Sequence, residues 1–147
     1  MIAWLASFPA ACWAAYHERR ITAMGEPLLD NQRSDAKHLG VERADDVYLC
    51  LVDEVPNPLL KIPWLSEALE KCLDVHVMSP AGITLGHGIY VTQVAYSKRL
   101  IRHELVHVNQ YERSGSIRAF MVEYLYQCLM YGYYAAPWEE EARAGEL

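Results

Sequence analysis

Ile101-Arg102-His103-Glu104-Leu105-Val106-His107-Val108-Asn109-Gln110-Tyr111 is the stretch that decides the fold, because it contains the pattern H-E-x-x-H. On an α-helix, residues four apart share a face, so His103 and His107 aim two imidazoles at one point while Glu104 projects about 100° further round. Two neutral imidazoles suit Zn²⁺, and a carboxylate that is not a ligand can stand beside the ion as a general base. Leu100, Leu105, Val106 and Val108 flank these groups. A helix buried on more than one side carries two histidines and a glutamate only where they have partners. The helix is expected over 97–113, capped by Ser97 and broken by Ser114-Gly115-Ser116.

A catalytic zinc takes three protein ligands and keeps one position open, so a third ligand is expected downstream. The extended pattern H-E-x-x-H-x-x-G-x-x-H requires glycine at 110 and histidine at 113. Gln110 and Arg113 stand there instead, which excludes that arrangement. Glutamate remains. Glu112 is on the same helix, too near to fold back on the metal. Glu123 falls within a long aromatic helix, Ile117 to about Tyr134, and equally suits a solvated position. Glu139, Glu140 and Glu141 follow Pro137 at the start of a further helix, over 137–145, that can pack across the first.

Upstream of the motif, the segment from residue 82 to 94 holds Gly82, Gly86 and Gly88 among β-branched residues and reads as one edge strand with bulges or bends, its glycines marking close approach by another backbone. Val47 to Val52 is an apolar run suited to a central strand. Asp30 to Leu39 is expected as a short helix closed by Gly40. Pro63 opens an expected helix from Trp64 to Leu73, followed by a strand over Asp74 to Met78. Residues 1–24 read as an apolar helix passing Pro9 and ending at Gly25-Glu26-Pro27, with Trp4, Leu5, Phe8, Cys12 and Trp13 as its buried face. Its first sixteen residues lack the charge order of a signal peptide and are short for a membrane span. Attachment to a membrane surface through Trp4, Phe8 and Trp13 is the alternative use of that helix. The tyrosines at 124, 126, 131, 133 and 134 are expected in the core, with their hydroxyls satisfied.

At 147 residues the chain forms one domain, with a net charge of −6 and no basic stripe to follow a phosphate backbone, which argues against nucleic acid as a partner. Cys12, Cys50, Cys72 and Cys128 are widely spaced in apolar contexts and read as reduced core residues.

His103-Glu104-Leu105-Val106-His107-Val108-Asn109-Gln110-Tyr111-Glu112, with Phe120, Tyr124, Gly132-Tyr133 and Pro137-Trp138-Glu139-Glu140-Glu141-Ala142, resembles the small bacterial gluzincin-type zinc metallopeptidases, the minigluzincin-like domains. Gly82 to Ile89 resembles the edge strand of their active site, and Asp35 to Val41 the segment before their first strand. The resemblance implies a thermolysin-type catalytic core and an α+β, zincin-like fold, with a small mixed sheet packed on the H-E-x-x-H helix and a glutamate-bearing helix behind it. It implies His103, His107 and Glu139 as zinc ligands, the last from an E-x-x-A pattern completed by Ala142, and Glu104 as the catalytic base. An aspartate one turn after that glutamate orients a ligand histidine in many relatives; this chain has Arg143 there.

The expected function is therefore zinc-dependent hydrolysis of a peptide or protein substrate, in a cytoplasmic bacterial protein. Tyr133, Tyr134 and His87 are the candidate oxyanion donors, each also readable as structural. The competing expectation is a zinc-binding interaction module without peptidase activity. Small size favours the module, and Glu104 favours the enzyme, since a structural zinc needs no base.

Overall fold

The structure is a computed structural model that describes residues 2–56 and 80–147, with side chains from Pro9 onward. In chain order it comprises α1 (Ile2–Met24), β1 (Glu26–Pro27), α2 (Asp30–His38), β2 (Tyr48–Val52), β3 (Gly82–Leu85), β4 (Gly88–Thr92), α3 (Lys98–Ser114), α4 (Ile117–Tyr131) and α5 (Pro137–Ala144). Single 3₁₀ turns lie at Ala44–Asp46 and Gln93–Ala95. The chain is thus a mixed α+β protein. Its four-stranded sheet has the order β1-β2-β4-β3, with β2 and β4 parallel and the outer pairs antiparallel.

Both faces of the sheet are covered, and strand alternation explains how. Leu49 of β2 and Ile89 and Val91 of β4 point to one side, where they meet Ile101, Leu105 and Val108 of α3 together with Ala36 and Leu28. Tyr48, Cys50 and Val52 of β2, Tyr90 of β4 and Ile83 and Leu85 of β3 point to the other, against Trp13, Ala14 and Ile21 of α1 and Ile117 and Met121 of α4. Every residue of β4 is buried, as befits a strand with a neighbour on each side and helices above and below. Burying each large aliphatic side chain contributes about 2 kcal/mol, so residues 101, 105 and 108, spaced to share one face of α3, fix how that helix sits on the sheet. The remaining faces of α3 are then free for chemistry.

Several expectations are met at the level of local structure. Ser97 caps α3 by accepting from Leu100 N, and Gly115 ends it at φ +75°. Gly40 follows α2 at φ +85°. Pro137 occupies the first turn of α5.

Others are corrected. The single bent strand expected over 82–94 is a hairpin. Leu85 pairs with Gly88 across the two-residue turn Gly86-His87, and Gly86, at φ +68°, takes the conformation such a turn demands. Of the two hairpin strands only β3 lies at an edge of the sheet among the described residues, and β4 is interior. The segment then ends in the 3₁₀ turn at Gln93–Ala95. Helix α4 stops at Tyr131 rather than Tyr134, because Gly132 at φ +76° turns the chain away. Tyr126, Tyr131 and Tyr134 are exposed rather than in the core. Cys12 is exposed too, while Cys128 is buried and Cys50 half-buried; all three are free thiols. The expected elements over 64–73 and 74–78, Cys72, and the side chains of Trp4, Leu5 and Phe8 lie outside the described residues. No helix among the described residues is long and apolar enough to cross a membrane.

Candidate metal centre

With the 101–105–108 face of α3 against the sheet, helical geometry turns His103 and His107 toward α5 and Glu104 toward β3. Helix α5 brings Glu139 to meet the histidines. Its residues 139 and 142 share one face, and Ala142 is completely buried, leaving Glu139 pointing inward at 1% exposure. His103 Nε2 and His107 Nε2 are 3.2 Å apart, His103 Nε2 lies 3.5 Å from Glu139 Oε2, and His107 Nε2 lies 3.4 Å from Glu139 Oε1. These are the only three His, Cys, Asp or Glu side chains among the described residues that converge closely enough to hold a metal ion together.

The outer partners settle which ring atoms carry protons. Gln110, i+3 from His107, donates its amide N–H groups to Trp138 O at 2.9 Å and Glu141 Oε2 at 2.8 Å. Its Oε1 must therefore be the acceptor for His107 Nδ1–H, at 2.8 Å. Glu146 Oε1, an acceptor only, stands 3.0 Å from His103 Nδ1 and takes the proton there. Each neutral ring then presents its Nε2 lone pair to the common centre. Two lone pairs and a carboxylate facing one another repel unless positive charge lies between them. For a tetrahedral ion with ligand bonds near 2.0–2.1 Å, ligand atoms sit about 3.3 Å apart. The 3.2 Å between the two Nε2 atoms and the 3.5 Å from His103 Nε2 to Glu139 Oε2 match that spacing.

The electrostatics agree. Burial works to raise the Glu139 carboxyl, but the imidazoles of His103 and His107 facing it outweigh burial and hold the group far below the ordinary carboxylate range. Burial likewise opposes charge on His103 and His107, yet Glu139 and then Glu104 draw both imidazoles above their ordinary value. The site favours a positive centre, whether proton or metal ion. Glu104 differs: burial dominates and raises it above the ordinary range. Its Oε2 lies 2.7 Å from Thr84 Oγ1, which donates to it and is also 3.0 Å from Glu104 O, tying the carboxylate to β3. Gly82 makes this approach feasible, since a Cβ there would stand 2.8 Å from Glu104 Oε1.

No family model matches the chain, and neither the curated proteins nor the solved structures compared with it contain a match. Residue geometry is thus the basis for a functional reading.

The other sequence candidates, Tyr133 apart, fall away from the centre. Glu112 accepts from the backbone N–H groups of Glu42 and Arg43 and contacts His87 Nε2 at 2.9 Å. Glu123 is exposed and bonds Gln127, Glu140 is exposed, and Glu141 pairs with Arg113 and Gln110. Arg143 donates to Tyr134 O, and the side chain of Tyr134 is exposed. His87 is held between Glu18 and Glu112 in a structural role. Tyr133 stays near the centre: it is half-buried beside Glu139, and burial followed by the Glu139 charge raises its hydroxyl above the ordinary value. Sequence reading missed the supporting groups Thr84, Gln110, Tyr124 and Glu146. One carried a signal in its spacing: Gln110 lies i+3 from His107 on the same helix.

Proposed function

We propose that the protein is a zinc-dependent peptidase of the gluzincin type with a zincin-like catalytic core. The single observation that carries this reading is the convergence of His103 Nε2, His107 Nε2 and the Glu139 carboxylate beside a buried carboxylate, Glu104, that takes no part in the cluster. A structural zinc has no use for such a group. His103, His107 and Glu139 would hold the ion, with Gln110 and Glu146 fixing the two rings. Zinc bound there supplies Lewis acidity and an acidified water at neutral pH.

Glu104 does the proton work. Burial raises its basicity toward that of a general base, so it can accept a proton from the attacking water and return it to the departing amine. Thr84 holds its Oε2 against β3, an edge strand among the described residues. An extended peptide that adds to this edge by main-chain hydrogen bonds lies alongside the base. The substrate class that fits is therefore an unfolded or loop segment rather than a helix.

Glu104→Gln tests the proposal. The variant is expected to keep its metal while cleavage of a broad peptide library falls about 10²- to 10⁴-fold, and chelation is expected to abolish cleavage in the wild type. Undiminished cleavage by Glu104→Gln contradicts the mechanism. A metal-loaded wild type that cleaves nothing in the library favours the interaction module.

A further inference from the structure

The two oxygens of Glu139 are treated differently. Oε1 accepts a 2.7 Å hydrogen bond from the Tyr124 hydroxyl, whereas Oε2 is buried without a hydrogen-bond partner and lies 3.5 Å from His103 Nε2. A buried carboxylate oxygen with no donor is costly, which makes Oε2 the atom that requires a cation. The donor to Oε1 is itself held firmly. The ring of Tyr124 stacks on Phe120 at 5.8 Å, and Phe120 stacks on Trp138, the neighbour of Glu139, at 5.2 Å. Its face or edge also meets the His107 ring at 6.1 Å and 86°. Trp138 is pinned in turn, its N–H donating to Gln127 Oε1 and its carbonyl accepting from Gln110 Nε2.

We propose that Tyr124 is a positioning residue that holds Oε1 of Glu139 away from the metal, so that Glu139 ligates through Oε2 alone and one coordination position stays open to water. This rests on the metal-site reading above. A glutamate free of such a donor can chelate through both oxygens and take up the place that a hydrolytic zinc needs for water. The Tyr124 hydroxyl bonds Glu139 and acts through it.

Tyr124→Phe removes the hydroxyl and keeps the stacked ring, and exposed Tyr126→Phe on the same helix is the control. Both are loaded with Co²⁺ beside wild type and read by visible absorption, which is intense for four-coordinate cobalt and weak at higher coordination; zinc affinity is measured by competition with a chromophoric chelator. Tyr124→Phe is expected to lose absorption intensity and to bind zinc about tenfold or more weakly, with Tyr126→Phe unchanged. A cobalt spectrum and zinc affinity equal to wild type overturn the proposal while leaving the metal site standing. Failure of wild type to bind metal overturns the site and this inference together. Should Tyr124→Phe not fold, X-ray absorption on the zinc-loaded wild type decides: one Glu139 oxygen at bonding distance supports the proposal and two refute it.

Discussion

Glu146 stands at His103 Nδ1, a ring-orienting place for which the sequence, with Arg143 one turn after Glu139, offered no acid, and Arg99 holds it there by a direct ion pair. Arg143 points instead to a backbone carbonyl. Partners of this kind orient ligand rings and strengthen them as donors, so Glu146→Ala is expected to weaken zinc binding about tenfold or more. Arg143→Ala is expected to leave it unchanged. A competition titration measures both, and equal affinities for Glu146→Ala and wild type contradict the assigned role. The two histidines were legible in the sequence because i, i+4 spacing states where two side chains point whatever the surroundings, whereas Glu139 was set apart from Glu140 and Glu141 only by the resemblance. Their supports were harder to find. Thr84 and Tyr124 reach the site from other elements, 20 residues before Glu104 and 15 before Glu139, and no local periodicity links such positions.

Between elements, a second polar cluster fastens α1 to the hairpin turn and to α3. Glu18 Oε1 accepts from His87 N at 2.8 Å, and His87 Nε2 meets Glu112 Oε1 at 2.9 Å. Burial opposes the charge on His87, but its bonds to Glu18 and Glu112 outweigh burial and raise it above its ordinary 6.5. Burial also opposes ionisation of Glu18, yet the His87 bonds bring it below its ordinary 4.5. A raised histidine contributes stability that is complete below its unfolded value and is lost as pH climbs through its folded value. A lowered carboxyl contributes stability that is complete above its unfolded value and is lost as pH falls through its folded value. The clasp is therefore strongest between pH 4.5 and 6.5. The stability difference between wild type and His87→Gln is expected to shrink by about 2 kcal/mol from there to alkaline pH, followed by denaturant unfolding. A difference independent of pH contradicts the clasp.

Gly25, where α1 hands over to β1, gives a second element-scale test. A Cβ there would lie 2.7 Å from Ile21 O and 2.8 Å from Leu49 O, both backbone atoms that cannot yield. Gly25→Ala is expected to cost about 2 kcal/mol or more by the same unfolding measurement, and a neutral result contradicts the close junction. The glycines of the hairpin explain why its reading from sequence went astray. Gly82 and Gly88 mark close approaches by the Glu104 and Ile21 side chains rather than by another backbone, and Gly86 between them is the turn itself. Nothing in composition separates a glycine that admits a neighbour from one that reverses the chain.

Across the whole molecule, the sheet separates two apolar layers, one built on α1 and α4 and the other on α2 and α3. The second layer positions the motif helix, and α5 closes over that helix to deliver Glu139. The mixed α+β class was legible because the apolar runs differ in period, while strand order was not, since β2 and β4 pair in parallel across a long stretch of chain. The central claim is that three side chains from two helices bind one metal ion. Metal content by mass spectrometry of the purified protein, beside His103→Ala, Glu139→Ala and Glu140→Ala, tests it most directly. About one zinc per chain is expected in wild type and in Glu140→Ala, with His103→Ala and Glu139→Ala depleted. Full occupancy in His103→Ala or Glu139→Ala, or a wild type that holds no zinc when it is supplied, contradicts the claim.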